Sequence, residues 1–185
     1  MFEIDRFIDD CRSVLNEQDS QSATREIVAA AVSDPSQVIK ALGEPKFAGL
    51  ETIHHADDLT ILNITWGANM TLHPHDHRMW AVIGIYTGQE NNVFYRREPK
   101  GLSQRGAKEL HQKETIPLGR DVIHSVYNPL NKLTVALHVY GGDFFAAERS
   151  EWDPETLQEQ PFDIEHTRQV FEESNKALRE MELAS

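Results

Sequence analysis

Residues 72–80 read LHPHDHRMW, which sets histidines at 73, 75 and 77. In an extended strand, residues two apart project from the same face, with a rise of ~3.3 Å per residue. Two imidazoles so placed can chelate one metal ion through neutral ring nitrogens. Two pairs are available, His73 with His75 and His75 with His77. Pro74 bears on the choice: having no N–H, it suits a strand start or edge better than the interior of a ladder. That supports His75 and His77, with His73 at the rim, but on these residues alone both pairs stay open. Among the other histidines, His54, His55, His111 and His166 stand alone or among polar residues and are expected on the surface.

Such ligands need strands to hold them, and the chain from about residue 50 supplies candidates. LTILNITW, WAVIGIYT, NNVFYRR, ETIPL and KLTVALHVY are short runs rich in β-branched and aromatic residues, several of them separated by Gly, Asn, Pro or Asp. This pattern predicts an all-β barrel or sandwich. Ahead of it, Ile4, Phe7, Ile8, Cys11, Val14 and Leu15 recur at helical intervals, and NEQDSQS then interrupts. An alanine-rich stretch follows from about 23 to 32, and SDPSQVIKALG carries a helix start at Asp34-Pro35 and a stop at Gly43. After Trp152, DIEHTRQVFEESNKALREMELA reads as an amphipathic helix. Asp163 is its cap, and Ile164, Val170, Phe171, Leu178 and Met181 are its apolar contacts. The expected organisation is a helical extension over 1–45, a barrel over 46–152 and a C-terminal segment with a helix over 153–185.

Composition bounds the partners. The 185 residues suit one domain, and a formal net charge of −12 disfavours nucleic acid and anionic membrane surfaces. Cys11 is the only cysteine, which excludes an intramolecular disulfide and a cysteine-rich zinc site. The stretch MFEIDRFIDD is acidic and amphipathic, unlike a secretory signal. No run of ~20 apolar residues is present to span a bilayer. The expected compartment is cytoplasmic, where thiols stay reduced.

Around residues 75–128 the sequence resembles the cupins, small double-stranded β-helix (jelly-roll) barrels that carry two characteristic motifs. HDHRMWAVIGIYTG matches the first motif from its histidine pair, His75 and His77, to its turn glycine, Gly88. PLGRDVIHSVYN matches the second, with His124 as the third ligand candidate and Asn128 behind it, although the stretch from Gly119 to His124 is longer than the motif's. Pro117 and Gly119 are expected in the turn. Ala81 stands in the slot where many metal cupins carry a ligating glutamate. The resemblance therefore implies three neutral imidazoles, no ligating carboxylate, and a divalent metal that keeps its whole charge. Positions left open on such a metal attract an anion, for example a thiolate or an enolate.

Within that group, residues 59–149 are similar to the cysteine dioxygenase (thiol dioxygenase) family, most of all to its bacterial mercaptopropionate-type members. Trp66-Gly67, HDHRMWAVIGIYTG and LHVYGGDF carry the likeness. It implies a mononuclear non-haem iron(II) centre on His75, His77 and His124 that uses dioxygen to convert a small thiol to a sulfinate. His138 and Tyr140 match the family's relay beside the iron, with Ala136 where its serine stands. Two apart on a strand, they share a face. A phenol of ordinary pKa ~10 can donate to the reacting oxygen while the imidazole holds it in place. Arg149 matches an arginine that serves the substrate's carboxylate in the mercaptopropionate type. The arginine of the cysteine-oxidising type has no counterpart near 47–49. That type's cysteine–tyrosine cross-link is not expected, given Ala81 and the distant Cys11. Trp66, Trp80, Phe94 and Phe144 are expected to pack the barrel. Two alternatives use the same ligands and stay open: another three-histidine chemistry such as diketone cleavage, and a non-enzymatic cupin that binds a small ligand or metal.

Overall fold

The computed structural model describes residues 1–183, with side chains to residue 180, so the contact expected of Met181 lies outside the described side chains. Three helices come first, α1 (Ile4–Ser13), α2 (Ser20–Val32) and α3 (Pro35–Leu42). Their ends follow from local chemistry. Asp19 caps α2 by accepting from the backbone N–H of Ser22 at 3.3 Å. Helix α3 starts on Pro35, whose missing N–H has no partner to lose in a first turn, and stops at Gly43 with φ +90°.

The strands are β1 (Gly49–His55), β2 (Thr60–Trp66), β3 (Thr71–Asp76), β4 (Ala81–Thr87), β5 (Gln89–Glu98), β6 (Gly101–His111), β7 (Thr115–Leu118), β8 (Ile123–Tyr127), β9 (Thr134–Tyr140), β10 (Ser150–Trp152) and β11 (Glu159–Pro161). They form two antiparallel sheets with orders β1-β2-β9-β4-β7 and β11-β10-β3-β8-β5-β6. Residues of both sheets share one interior cluster, including Ile64, Ile83 and Tyr140 from the first and Leu72, Leu110 and Val126 from the second. This is the double-stranded β-helix, with α1–α3 on the outer face of the first sheet and α4 (Ile164–Leu183) closing the chain.

Strand alternation explains why β2, β4 and β9 are apolar on both faces. Ile83, Ile85, Ala136 and Tyr140 point inward. Val82, Tyr86, Val135, Leu137 and Val139 point outward and pack beneath Phe7, Cys11, Val28, Val32 and Val38 of the helices. Gly88, at φ +77°, turns β4 directly into β5, and a Cβ there would collide with Thr134. Strand β5 pairs with β8 on one side and, on the other, with β6, a strand exposed along most of its length.

Two prolines sit differently from expectation. Pro117 lies within β7 and not in the turn. Strand β7 is at a sheet edge, where a missing N–H is tolerated. The turn follows it, closed by the N–H of Val122 donating to the carbonyl of Gly119 at 3.1 Å. Pro74 lies inside β3, not at its start. Leu72 pairs with Val126 and His75 with His124, so β3 carries one residue more than β8 over this interval. Pro74 occupies that bulge, where a ladder N–H is not required.

The C-terminal helix begins as expected, with Asp163 accepting from the N–H of Glu165 at 2.9 Å. Asn175 fastens it to the start of the barrel: its carbonyl accepts from the Ala48 N–H at 2.7 Å and its amide donates to the Ala48 carbonyl at 2.9 Å. Among the described residues, no helix is long and apolar enough to cross a membrane.

Candidate metal centre

The bulge in β3 decides which histidines meet. In a regular strand His73 and His75 would share a face. The extra residue reverses the alternation, so Leu72, His75 and His77 all line the barrel interior while His73 turns toward Glu151. His124 on β8 stands directly across from His75. One ring nitrogen from each of His75, His77 and His124 lies within 4.8 Å of the others, and Nε2 of His77 is 3.4 Å from Nε2 of His124. Asp76, between His75 in β3 and His77 just after it, points away. It accepts from the Ser150 N–H at 2.8 Å and pairs with Arg78 at 2.9 Å.

This trio fits a metal ion. Two nitrogens ~2.1 Å from one ion stand about 3.0–3.4 Å apart for octahedral to tetrahedral angles. The Nδ1–H of His75 donates to the His73 carbonyl at 3.0 Å, and that of His124 to Asn92 Oδ1 at 2.6 Å, which leaves each Nε2 lone pair turned inward. Nδ1 of His77 is buried and has no partner among the described residues. Burial keeps all three rings neutral. It holds His75 and His77 well below the usual histidine range, with the neighbouring imidazoles adding to the effect, and pushes His124 down to about 4 against the opposing pull of Glu90. Lone pairs converging in a dry site call for a cation.

His138 and Tyr140 face the same interior from β9. Nδ1 of His138 is 3.1 Å from the Tyr140 hydroxyl, and the Tyr140 ring centre is 5.1 Å from that of His77. Burial pushes the phenol above its ordinary range, so it remains protonated at neutral pH. Ala81 lies directly across from Tyr140. Cys11 packs in the outer cluster, with the first sheet between it and Tyr140, which leaves no geometry for a cross-link.

Arg149 also reaches this interior. Its guanidinium lies 4.1 Å from the Phe144 ring centre and 3.4 Å from that of Phe162. It donates to the carbonyls of Asp76 at 3.3 Å and Phe144 at 3.4 Å, while its Nε is buried without a partner. No carboxylate pairs with it among the described residues. Burial lowers its pKa only to about 10, so it is a cation at neutral pH. The three histidines, Tyr140, His138 and Arg149 border one small cavity of about 20 Å³, enough for one water-sized guest. Phe162, Thr167 and Phe171 from the C-terminal segment complete its wall.

Trp66, Phe94 and Phe144 pack the barrel interior as expected, and some of these residues do more than pack. Trp66 packs against Phe171 at 5.4 Å, but its indole N–H also donates to Glu90 at 2.7 Å. Phe144 belongs to the site, whereas Trp80 packs with the outer cluster and Phe94 stacks 6.5 Å from His124. Asn128 is a structural knot, donating to the Gly67 carbonyl at 2.7 Å and accepting from Thr134 at 3.0 Å. His55 and His111 are exposed as expected, but His54 is half-buried, with an enclosed Nε2. His166 is not a free surface residue either. It stacks on His73 at 4.6 Å, and both rings bond Glu151, His73 at 3.0 Å and His166 at 2.8 Å. Those two rings are parallel to within 13°, so they cannot both aim a lone pair at one ion. The group is a carboxylate clamp that joins β3, β10 and α4.

No family model matches the sequence. Solved structures resemble part of it. An RmlC-like cupin family protein with a double-stranded β-helix fold from Methanocaldococcus jannaschii is 11% identical over 55% of this chain and 86% of its own, with a TM-score of 0.46. A double-stranded β-helix protein from Klebsiella pneumoniae is 9% identical over 58% of this chain and 83% of its own, with a TM-score of 0.47. An oxalate decarboxylase variant from Bacillus subtilis is 12% identical over 56% of this chain and 27% of its own, with a TM-score of 0.45. At these identities the likeness is one of fold, and the double-stranded β-helix stands on the strand order itself.

Proposed function

We propose that this protein is a mononuclear non-haem iron(II) dioxygenase that oxidises a small thiol with an acidic tail to the corresponding sulfinate. One observation carries the reading: a trio of neutral imidazoles, a buried phenol held by a histidine, and a buried arginine without a carboxylate partner share one small cavity. Iron(II) held by His75, His77 and His124 would bind the thiolate and activate dioxygen. The remaining work falls to the chain. Arg149 meets the substrate's carboxylate, and the flanking rings of Phe144 and Phe162 fix the plane of its guanidinium for a two-pronged contact. Tyr140 donates from a phenol that burial keeps protonated, and His138 sets the direction of that donor. Phe162 and Phe171 exclude water.

The reaction balances without a further reductant, because both atoms of dioxygen end on sulfur and RS⁻ becomes RSO₂⁻. A reducing cytoplasm suits both the thiol and the unpaired Cys11. The test is oxygen consumption by anaerobically iron-loaded protein with thiols that carry or lack a carboxylate and with diketones, and product masses read in parallel. The expected result is uptake with carboxylated thiols and a product heavier by two oxygen atoms. Uptake with diketones alone moves the chemistry to carbon–carbon cleavage. No uptake with any of them, alongside tight metal binding, makes the protein a non-enzymatic binder.

A further inference from the structure

We infer that Glu90 is the counter-charge of the metal centre, a buried carboxylate that polarises the ligand His124 through Asn92 and steadies the His138–Tyr140 pair from behind. The inference rests on the metal reading of the three histidines and not on the thiol chemistry. Glu90 is fully buried on β5, and no lysine or arginine pairs with it among the described residues. Its Oε1 accepts from the Asn92 amide at 2.9 Å, and the Asn92 carbonyl accepts from His124 Nδ1–H at 2.6 Å. Its Oε2 accepts from the Trp66 indole at 2.7 Å and lies 3.6 Å from His138 Nε2, beyond hydrogen-bond length. Nδ1 of the same His138 ring meets the Tyr140 hydroxyl. One carboxylate thus stands behind both a metal ligand and the phenol.

The sequence places it there by simple periodicity. Glu90, Asn92 and Phe94 alternate along β5 onto one face, and Phe94 pairs across to His124. Burying an ionised carboxylate beside no fixed cation is costly, so a side chain that only filled space would be glutamine or leucine. Burial raises the pKa of this carboxyl, but the His138 ring and Asn92 outweigh that and hold it below the usual carboxylate range. Ala81 removes any carboxylate from the ligand set, so a divalent ion among three neutral imidazoles would keep its whole charge. Glu90 also fixes the amide of Asn92. Because Nδ2 must donate to the carboxylate, Oδ1 must face His124, which in turn fixes the tautomer of that ligand. In this sense Glu90 is a positioning residue, and the metal's charge is opposed from one layer back.

The experiment is titration of the metal-free protein with Co²⁺, followed by visible absorption, with the melting temperature recorded for every variant. In E90Q the charge is gone, and the introduced amide confronts either the Trp66 N–H or the Asn92 amide, donor to donor. Its Co²⁺ affinity is expected to fall about 10–100-fold, the usual effect of removing such an outer partner. E90Q/N92D exchanges amide and carboxylate between the two positions. The carboxylate now at position 92 accepts from His124, while the amide at position 90 donates to that carboxylate and accepts from Trp66. The double variant is expected to regain most of the affinity. Should E90Q fail to fold, N92L, which cuts the link to His124 and leaves Glu90 on Trp66, carries the same expected loss. Parent-like affinity in the folded single variant, or no recovery in the double, overturns the inference. A parent protein that takes up no Co²⁺ overturns the metal centre and this inference with it. The expected order of affinities in a protein that oxidises no thiol overturns the proposed function alone.

Discussion

Replacing Tyr140 with phenylalanine removes one oxygen and keeps the ring. The lost hydrogen bond to His138, 3.1 Å long, contributes about 1 kcal/mol. His138 Nδ1 is then left without a partner in a dry interior, which adds a further ~1 kcal/mol. A loss of ~2 kcal/mol lowers the melting temperature of a domain this size by about 4–8 °C. Ring contacts with Phe144 at 4.5 Å and His77 at 5.1 Å persist, so iron content should match the parent. Turnover should fall by ~10²-fold, the usual effect of losing one preorganised donor. Iron content, melting temperature and thiol-dependent oxygen consumption are to be measured on one preparation. A lowered melting temperature with unchanged turnover per iron would refute the catalytic role and leave the His138–Tyr140 pair as scaffolding.

Alanine at His75, His77 or His124 should strip most bound iron from a folded barrel, whereas alanine at His73 should leave it in place; metal analysis of the four variants decides, and an iron-free His73→Ala would show that the wrong face was chosen. Removing the unpaired buried cation with Arg149→Met should leave the melting temperature level or higher, since a desolvated charge is lost. The same change should raise KM at least about tenfold for a carboxylated thiol, equivalent to ~1.4 kcal/mol, and leave a neutral thiol unaffected; equal effects on both thiols would take the acidic tail away from Arg149. The metal-free protein should weaken as pH falls. Its three ligand rings are depressed below the ordinary histidine pKa, so the unfolded chain takes up protons first. Their contribution is complete above ~6.5 and is lost as pH drops toward the His124 value of about 4, and a flat melting profile across that window would contradict their burial as neutral groups. Intact mass should equal the sequence mass, and a deficit of two hydrogens would reveal a cross-link that Cys11 is too far away to make.

The convergence of His75, His77 and His124 was legible because alternate histidines on a strand admit few readings. The exclusion of His73 was also legible, but its cause was not a strand start. Pro74 marks a bulge, and an inserted residue leaves no trace in composition until its partner strand is known. Glu90 and Asn92 were passed over although Asn92 already lay in the strand run NNVFYRR, because neither residue matches a motif by itself. Their spacing of two within a strand was the available signal, and only the cross-strand neighbour His124 gives it meaning. Strand β6 was missed for the opposite reason. GLSQRGAKELH faces solvent on most positions and so lacks any apolar alternation. His166 looked like one polar residue among many on a helix, since its carboxylate partner Glu151 sits on β10, in another element of the sheet.

A cavity of about 20 Å³ has room for a water but not for a thiol with a carbon tail, so under the proposed function part of the wall would shift when substrate binds. Most of that wall is strand, locked in continuous ladders. Helix α4 is held to the barrel by the paired bonds of Asn175. Phe162 enters that wall from the connection after β11, where its own N–H donates to the Arg149 carbonyl at 2.9 Å and that of Asp163 to Glu151 at 3.2 Å. Under the proposed function, thiol entry and departure of the larger sulfinate would both require such bonds to loosen, and the frequency of that loosening would be a ceiling on turnover, whatever the speed of the chemistry behind it.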